Sequence, residues 1–399
     1  MKVALTCGMD FSRPNGITRY VEAVASGVAQ NHEVHLLSSD EPPQFLRVTA
    51  HVTPLRNIPG MRIHTRVHGF RTLLNVGQIT TRLLFNACYY RSRYRELKKT
   101  HHCDIFHSQS LDSPVADVVT MHSCYAAAWG RKKGEVQGPV LRGILGYLLF
   151  LPFNRGSLAI ERRILHRSRK IIAVSTEVKQ QILTWYPIPE DKIVVIPNGV
   201  DSGRFRPDPG KGSQLRARYG ISDGEMVLIF VGNLFQVKGL DLVISTLEKL
   251  EGVTLFVIGE DVNLESYRNR VQNKGLQDRI IFTGRILSGI EDYYAASDAF
   301  VLPSESEGLP LSALEAAASG LPLIVTAVGG LPDVVSDGVN GFITKRNADD
   351  IGGKIRMLLE DPERRMMMGR EARISAERYS WDQVVRETQR VYSEITDTM

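Results

Sequence analysis

Two glutamates lie on either side of a tight turn in the stretch PSESEGLPLSALEAAASGLPLIVTAVGGLP, which runs from Pro303 to Pro332. Pro310 lies where a helix is expected to begin, because proline suits a first turn whose amides have no helical partner. Those amides can receive a diphosphate. Glu307 in the loop would then reach a sugar beyond the phosphates, while Glu315, about a turn and a half along the helix, would reach a ribose. The stretch therefore predicts a site for a nucleotide sugar.

The same two glutamates are also compatible with an ordinary solvated helix face, because carboxylates are common on helices. Two features of the surrounding residues argue against that reading. The segment is otherwise small and apolar, and its glycines, including Gly329 and Gly330, fall where a backbone would approach a ligand closely. These features favour a binding site.

The stretch resembles the signature of a known enzyme family. The residues EGLPLSALEAAASGLPLIVT, followed by GGLPDVV and NGFI, are similar to the signature of the retaining glycosyltransferase family four, whose members adopt the GT-B fold. The similarity continues in VGNLFQVKGLDLVI, IPNGVDSGRF and PNGITRYVEAV, and it is weakest at residues 40–100 and 125–160. The resemblance implies transfer of a sugar from a nucleoside diphosphate sugar, in the synthesis of cell-surface polysaccharide, glycolipid or lipopolysaccharide.

Short Val/Ile-rich runs alternate with helical segments, which is the pattern of an open parallel sheet covered by helices, an α/β fold. The pattern restarts at residue 226, so we expect two doubly wound, Rossmann-like domains facing each other across a cleft. Their expected strands are 3–7, 33–39, 104–109, 118–123, 170–175, 226–232, 254–259, 279–284, 299–303 and 322–326. In the first half the expected helices are 17–30, 72–99, 157–167 and 176–185.

The expected domain boundary lies in a Pro/Gly/Asp-rich segment between Ile196 and Ser213. We expect residues 1–198 to form an N-terminal, acceptor-binding domain and residues 199–380 to form a C-terminal domain that binds the nucleotide sugar. By the resemblance, the last helix crosses back, so residues 381–399 complete the first domain.

Lys238 lies in GNLFQVKG, which follows the first strand of the second domain. As a point charge it can neutralise a diphosphate. In the family an arginine usually follows the first glycine of this motif, and here that position is Asn233. Either another basic group supplies the missing charge, or the donor is held differently.

His122 ends a predicted strand and matches the family histidine that lies against the donor sugar. His107 is the alternative candidate for this contact, but a histidine in that strand is more often structural than in contact with the donor. The resemblance also assigns Gly16 a contact with the donor diphosphate and the acceptor, although a plain turn fits that dipeptide nearly as well. Arg285 and Ile286 would contact the base mainly through their backbone, with a surface position as the alternative for Arg285.

The predicted catalytic residues are Glu307, His122 and Lys238. By the resemblance, Lys238 and the amides near Pro310 stabilise the leaving diphosphate, Glu307 holds sugar hydroxyls beside the oxocarbenium ion, and Glu315 binds ribose. We expect no covalent nucleophile, no metal and no cofactor besides the nucleotide sugar. The predicted donor-binding residues are Gly16, Asn233, Lys238, Arg285, Ile286, Gly308, Leu309, Pro310, Leu311, Ser312 and Glu315.

Two other functions stay open on the sequence. A GT-B-like epimerase would convert a nucleotide sugar without an acceptor, whereas a phosphorylase needs a pyridoxal lysine and a much longer chain. A non-catalytic module would keep the donor pocket without turnover. The presence of all the predicted catalytic residues argues against such a module, and only Asn233 argues for it.

Charge is unevenly distributed along the 399 residues. Residues 1–180 carry 25 Lys and Arg against 12 Asp and Glu, whereas residues 181–399 carry 24 against 32. A basic first half attracts anionic lipid, a phosphorylated or diphosphate-linked acceptor, or nucleic acid. Because no aromatic interleaving or helix-turn-helix pattern accompanies the charge, we expect no nucleic-acid partner.

The longest apolar run, from Gly143 to Phe153, is too short to span a bilayer of about 30 Å. It is buried, lines an acceptor groove, or lies in a membrane interface. The beginning of the chain lacks the pattern of a secretory signal, and the four cysteines lack zinc spacing. We therefore expect a cytoplasmic enzyme, attached peripherally to the inner face of the membrane if its acceptor is lipid-linked.

Overall fold

The computed structural model describes residues 1–8, 11, 15–38, 51–54, 98–99, 102–113, 115–134, 140–222 and 224–398, without the side chains of 51–54 and 131–153. The helix predicted at 72–99 falls almost wholly outside these residues. The chain divides into two compact units, Met1–Pro197 with Val384–Met399, and Asn198–Gln383.

The first unit contains a parallel seven-stranded sheet among its described residues, in the order β3-β2-β1-β4-β5-β6-β7. Most of its side chains are buried, as expected for a parallel sheet covered on both faces. The strand order reverses between β1 and β4, and such a reversal opens a crevice at the carboxyl ends of the strands. The strands are β1 Lys2–Cys7, β2 Glu33–Ser38, β3 His51–Pro54, β4 Ile105–Gln109, β5 Val118–Met121, β6 Lys170–Ala173 and β7 Ile193–Val195.

The helices of the first unit connect these strands. Helix α3 is 28 residues long and includes both the predicted 157–167 helix and the apolar run at 143–153. Among the described residues, no helix is long and apolar enough to cross a membrane. The helices are α1 Gly16–Val28, α2 Tyr125–Gly134, α3 Val140–Arg167 and α4 Thr176–Trp185, with a 3₁₀ turn at Glu190–Lys192.

The second unit has the same architecture, with a six-stranded parallel sheet in the order β10-β9-β8-β11-β12-β13. Here the order reverses between β8 and β11. Its strands are β8 Met226–Val231, β9 Val253–Ile258, β10 Ile280–Gly284, β11 Ala299–Leu302, β12 Leu323–Thr326 and β13 Gly341–Thr344. The helices are α5 Pro209–Arg218, α6 Phe235–Lys238, α7 Leu240–Leu247, α8 Leu264–Asn273, α9 Ile290–Ala295, α10 Leu311–Ala318, α11 Leu331–Val334, α12 Ala348–Glu360 and α13 Pro362–Ala376.

Three strands are missing from the sequence-based prediction: β3, β7 and β13. All three are edge strands of three or four residues, and they lie next to proline or glycine. A short edge strand pairs on one side only and needs no long apolar run to be stable. The sequence signal is therefore weak at these positions, whereas the central strands were found.

The final helix, α14 Trp381–Thr396, packs from Val384 onward within the first unit. Its Tyr392 hydroxyl lies 2.6 Å from Nδ1 of His107, whose Nε2 lies 2.7 Å from the hydroxyl of Thr120. His107 is fully buried, so both ring nitrogens need these partners. The histidine joins the last helix to β4 and β5, and the predicted crossing of that helix to the first domain is confirmed.

Acid is expected to weaken the first unit through His107. Burial lowers the pKa of His107 from 6.5 to about 3, so the unfolded chain binds a proton that the folded protein excludes. This contribution to stability is present above pH 6.5 and is lost as the pH falls towards 3. The free energy of unfolding should fall less between pH 7.5 and 5 when His107 is replaced with Gln, by about 2 kcal/mol.

The measurement is urea unfolding at both pH values, followed by the fluorescence of Trp129 and Trp185, which belong to the first unit. Comparing the variant with the wild type cancels the other titrating groups. An identical pH dependence in the two proteins would contradict the assignment.

Candidate functional site

Lys238 and Glu307 meet where the strand order of the second sheet reverses. Lys238 ends α6, which follows β8, and Glu307 lies in the loop after β11. The Lys238 ammonium forms an ion pair with Oε1 of Glu307. The hydroxyl of Ser304 donates to the same oxygen at 2.7 Å. The Glu307 side chain is only 7% exposed, so the pair is strongly shielded from water.

The loop that carries Lys238 is held by the segment after β9. Oδ1 of Asn233 accepts a hydrogen bond from the Glu260 N–H at 2.8 Å, and Oδ2 of Asp261 accepts one from the Phe235 N–H at 2.8 Å. Leu234 between them has a left-handed backbone with φ of 58° and is exposed. Such strain in a non-glycine residue persists only where the surroundings impose it, and it is concentrated at functional sites.

Asn233 was predicted to bind the donor. Its carboxamide oxygen accepts the hydrogen bond from Glu260, so the side chain helps to hold the Lys238 loop. The donor contact of Asn233 stays a prediction. Arg285, after β10, is partly buried and lies 3.8 Å from the Glu260 carboxylate through Nη1. Asn233, Glu260 and Arg285 thus form a connected group along the carboxyl ends of β8, β9 and β10, and Arg285 brings a positive charge to this edge of the sheet.

The diglycine at Gly329-Gly330 supports the loop that carries Glu307. Gly329 has a φ of 59°, and a Cβ there would lie 2.6 Å from the Glu307 carbonyl oxygen and 2.5 Å from that of Gly308. The Gly330 N–H donates to the Gly308 carbonyl at 2.5 Å. These glycines therefore allow one loop to lie against another loop, and their close approach to a ligand stays a prediction.

Helix α10 begins at Leu311, with Pro310 as its N-cap residue and without a side-chain cap. The Leu309 carbonyl just before it accepts a hydrogen bond from Nδ2 of Asn198 at 2.7 Å. Glu315, on the same helix, is buried, and its Oε2 accepts a hydrogen bond from the Tyr294 hydroxyl at 2.9 Å. Both the start of the helix and its carboxylate are therefore held in place by residues distant in sequence.

His122 follows β5 in the first unit and is partly buried. Its Nε2 lies 3.0 Å from Oε1 of Gln109, at the end of β4, and the Tyr20 ring packs edge-on at 5.0 Å. Burial lowers the pKa of His122 to about 4, so the ring is neutral at pH 7. His107 differs from it, because both of its nitrogens are engaged, as expected for a scaffold residue.

The start of α1 is closed by its own cap. Oδ1 of Asn15 accepts hydrogen bonds from the N–H groups of Ile17 and Thr18 at 2.9 and 3.1 Å. The cap therefore satisfies these two amides of the first turn. The contact of Gly16 with the donor and the acceptor stays a prediction. The dipeptide Asn15-Gly16 thus has a clear structural role in starting the helix.

Within the second unit, the structure brings Lys238, Glu307 and the segment 308–312 to one edge of the sheet. His122 and Gly16 belong to the first unit. Sequence reasoning assigned no role to the residues that hold the site, which are Asn198, Ser304, Tyr294 and Gln109. Asn198 lay in the quoted motif IPNGVDSGRF and Ser304 in the quoted stretch from Pro303 to Pro332, but neither was singled out. A cation, a shielded carboxylate and an uncapped helix start are together suited to a ligand with a diphosphate and a polyhydroxyl group.

Two protein-family models match the chain. The model described as Glycosyltransferase Family 4 matches residues 14–204, and the model described as Glycosyl transferases group 1 matches residues 213–375. The matched segments lie one after the other and take in most of the sequence.

Two relatives are also similar in sequence. The chain is 29% identical over 242 residues to an uncharacterized glycosyltransferase of Methanocaldococcus jannaschii, over 59% of this chain and 62% of that protein, less than two thirds of its length. It is 28% identical over 374 residues to a D-inositol 3-phosphate glycosyltransferase of Segniliparus rotundus, over 89% of this chain and 78% of that protein.

The fold is similar to that of WaaG, whose crystal structure is described as that of a glycosyltransferase involved in lipopolysaccharide biosynthesis. The TM-score is 0.74 at 20% identity, over 97% of this chain and 98% of WaaG. At that identity the similarity concerns the fold alone. The predicted fold class, GT-B with two doubly wound parallel sheets, is confirmed.

Replacing Gly329 with Ala should displace the Glu307 loop, because the new methyl group overlaps two carbonyl oxygens. The matched control is Gly338→Ala, since Gly338 also has a left-handed backbone but open space around its Cα. Both variants lose about 1–2 kcal/mol from the backbone conformation. Only Gly329→Ala should lose more than that in urea unfolding and also lose nucleotide binding by calorimetry. Equal losses in the two variants would contradict this role.

Proposed function

The chain belongs to the group 1 glycosyltransferases of family four, and on that premise we propose that it moves a sugar from a nucleoside diphosphate sugar to a glycan or lipid-linked acceptor, with retention at the anomeric carbon. One observation carries the proposal: Lys238 and Glu307 meet where the order of the second sheet reverses. Nucleotides bind doubly wound sheets at such points. The predicted site residues supply the rest of the donor contacts.

The departing diphosphate gains negative charge as the bond to the sugar breaks. Lys238 and the amides at the start of α10 would stabilise that charge. Lys238 is paired with Glu307, and a bound diphosphate would compete with that carboxylate for the ammonium. Because a lysine and a helix start supply the positive charge, we propose that transfer needs no metal. Arg285 is the candidate for the positive charge that Asn233 does not provide.

Glu307 is proposed to hold the sugar. Both of its described side-chain contacts, with Lys238 and Ser304, are made by Oε1. Oε2 would therefore accept hydrogen bonds from sugar hydroxyls and place negative potential beside the oxocarbenium ion. This is an electrostatic role. With no covalent nucleophile proposed, the leaving phosphate would take the proton of an acceptor hydroxyl that attacks from the same face, which accounts for retention.

Glu315 and His122 are proposed to orient the donor. Tyr294 holds one oxygen of Glu315, which would direct the carboxylate towards a ribose hydroxyl. His122 is neutral at pH 7, so it would hydrogen-bond to the sugar without adding positive charge. The family resemblance implies that Glu315 and His122 act on the same donor as Glu307.

The acceptor is proposed to carry phosphate or a lipid diphosphate. The basic first half of the chain supports this. The Segniliparus relative is named D-inositol 3-phosphate glycosyltransferase, after a phosphorylated compound. We therefore propose a role in cell-envelope glycan or glycolipid synthesis on the cytoplasmic side of the membrane.

Helix α3 is the proposed membrane-facing element. Its first half contains the apolar run 143–153, and its second half exposes Arg155, Arg162, Arg163 and Arg167 along one side. Glu161 does not offset these charges at the surface, because it is fully buried and accepts hydrogen bonds from the first N–H groups of α2. A helix with this distribution is suited to a bilayer with anionic headgroups.

A donor screen separates the alternative functions. UDP-, GDP- and ADP-sugars are tested, in the presence of EDTA, for thermal stabilisation, because a ligand that binds only the folded state raises its stability. Nucleotide release that depends on an acceptor supports a transferase. Conversion of the sugar without an acceptor would indicate an epimerase, and binding without turnover against lipid and glycan acceptors would indicate a non-catalytic module.

Replacing Glu307 with Gln should lower kcat by roughly 100- to 1,000-fold, because a preorganised charge beside the developing cation is lost. The donor Kd should change much less. Glu305→Gln is the matched control, since Glu305 lies in the same loop and its carboxylate lies 3.9 Å from Arg346 rather than beside Lys238. Initial rates and calorimetry provide the measurements, and unchanged turnover in Glu307→Gln would refute the role of this carboxylate.

Replacing Arg162 and Arg163 together with Gln should weaken binding to vesicles that contain anionic lipid by roughly 30-fold at low salt, measured by sedimentation. Each basic residue near the surface contributes about 1 kcal/mol. Binding by the wild type should fall as salt rises. The control removes two exposed arginines of the second unit, Arg356 and Arg370. Failure of the wild type to sediment at low salt would remove the membrane proposal.

A further inference from the structure

Gln109 is a buried amide at the end of β4, beside the point where the order of the first sheet reverses. The residue is 1% exposed, and its side-chain nitrogen has no hydrogen-bond partner among the residues that the structure describes. Burying an unpaired amide nitrogen is unfavourable, and a leucine or methionine would avoid it. A chemical role for the carboxamide would explain why the sequence keeps it there.

The other end of that carboxamide faces His122, with Oε1 of Gln109 lying 3.0 Å from Nε2. A carbonyl oxygen only accepts, so Nε2 of His122 must carry the proton. A neutral imidazole has one N–H and one lone pair, and the lone pair is therefore on Nδ1. Because burial keeps the ring neutral, the tautomer alone decides which group His122 offers to a ligand.

The polar groups around this pair are already committed to other partners. His107 uses both nitrogens on Tyr392 and Thr120. The Tyr20 hydroxyl lies 3.1 Å from Thr120, while its ring packs edge-on against His122. Among the described residues, the contact at Nε2 of His122 is the one with Gln109. The tautomer of His122 therefore depends on whether Gln109 presents its carboxamide oxygen or its nitrogen to that atom.

We propose that Gln109 is a positioning residue that holds His122 with its proton on Nε2, so that Nδ1 presents a lone pair to a hydroxyl of the transferred sugar. The inference rests on the proposed glycosyl transfer. A lone pair near the anomeric carbon adds negative potential where positive charge develops, whereas an N–H in the same place would oppose it. The opposite tautomer would thus slow transfer without abolishing donor binding.

The tautomer is measured by long-range ¹H–¹⁵N correlation at pH 8 on protein labelled with ¹⁵N-histidine, and His122→Asn identifies the signals of His122. We expect the wild type to show Nε2 protonated and Nδ1 unprotonated. Gln109→Glu keeps the acceptor and should show the same state. Gln109→Met keeps the shape without a hydrogen bond and should show a mixture or the opposite tautomer.

Ser108→Ala is the matched control, because Ser108 is buried on the same strand and bonds to Ser113. It should leave the His122 signals unchanged even if stability falls. A wild-type His122 protonated on Nδ1, or a Gln109→Met spectrum identical to the wild type, would overturn the proposal. Neither outcome depends on glycosyl transfer, so a failure of the proposed function is distinguished from a failure of this inference.

Kinetics test the functional half of the inference. Gln109→Met should lower kcat roughly 10- to 100-fold, by analogy with groups that orient metal-bound histidines, with the donor KM nearly unchanged. Gln109→Glu should retain most of kcat. A changed tautomer with unchanged kcat would refute the role in transfer, and a loss shared equally by Ser108→Ala would show a purely structural effect.

Discussion

The ion pair between Lys238 and Glu307 depends on a topological constraint, the reversal of strand order between β8 and β11. Because all strands of the second sheet run parallel, the carboxyl ends of these two neighbours meet at one edge, and the loops that follow them lie side by side. The pair is shielded, so its mutual attraction is stronger than at the surface. The surrounding contacts through Ser304, Asn233 and Gly329 are best understood as supports that fix the two loops relative to each other.

The first unit has a comparable arrangement without an ion pair. Its functional candidate, His122, lies above a buried polar network in which His107 joins Thr120 to Tyr392 of the last helix. Neutral buried histidines need complete hydrogen bonding, since a missing partner is costly in a dry interior. Tyr20 links this network to His122, because its hydroxyl lies 3.1 Å from Thr120 and its ring packs edge-on against His122. The last helix therefore supports residues around His122 that are far away along the chain.

Much of the fold was predictable because hydrophobic period and β-branched content are local properties of the sequence. The central strands of both sheets and the crossing of the last helix were predicted correctly. The edge strands β3, β7 and β13 were missed, because a short edge strand carries little apolar signal. Asn233 illustrates a second limit of prediction from the sequence. Its position in a donor-binding motif was visible in the sequence, but the hydrogen bond that its carboxamide oxygen accepts from the Glu260 N–H was not. That bond joins the loops after β8 and β9 and cannot be read from either segment.

The sequence by itself determined the family, the two-sheet architecture and the identity of the charged residues that end up near the reversals of strand order. It did so because motif spacing and strand periodicity are properties of contiguous segments. Tertiary structure alone decided the partners of those residues: Glu307 with Lys238, Glu315 with Tyr294, and His122 with Gln109. Such pairings arise from sheet order and from loops that approach each other, and they join residues 13 to 69 positions apart. Hydrogen-bond geometry and protonation state therefore follow from the folded arrangement.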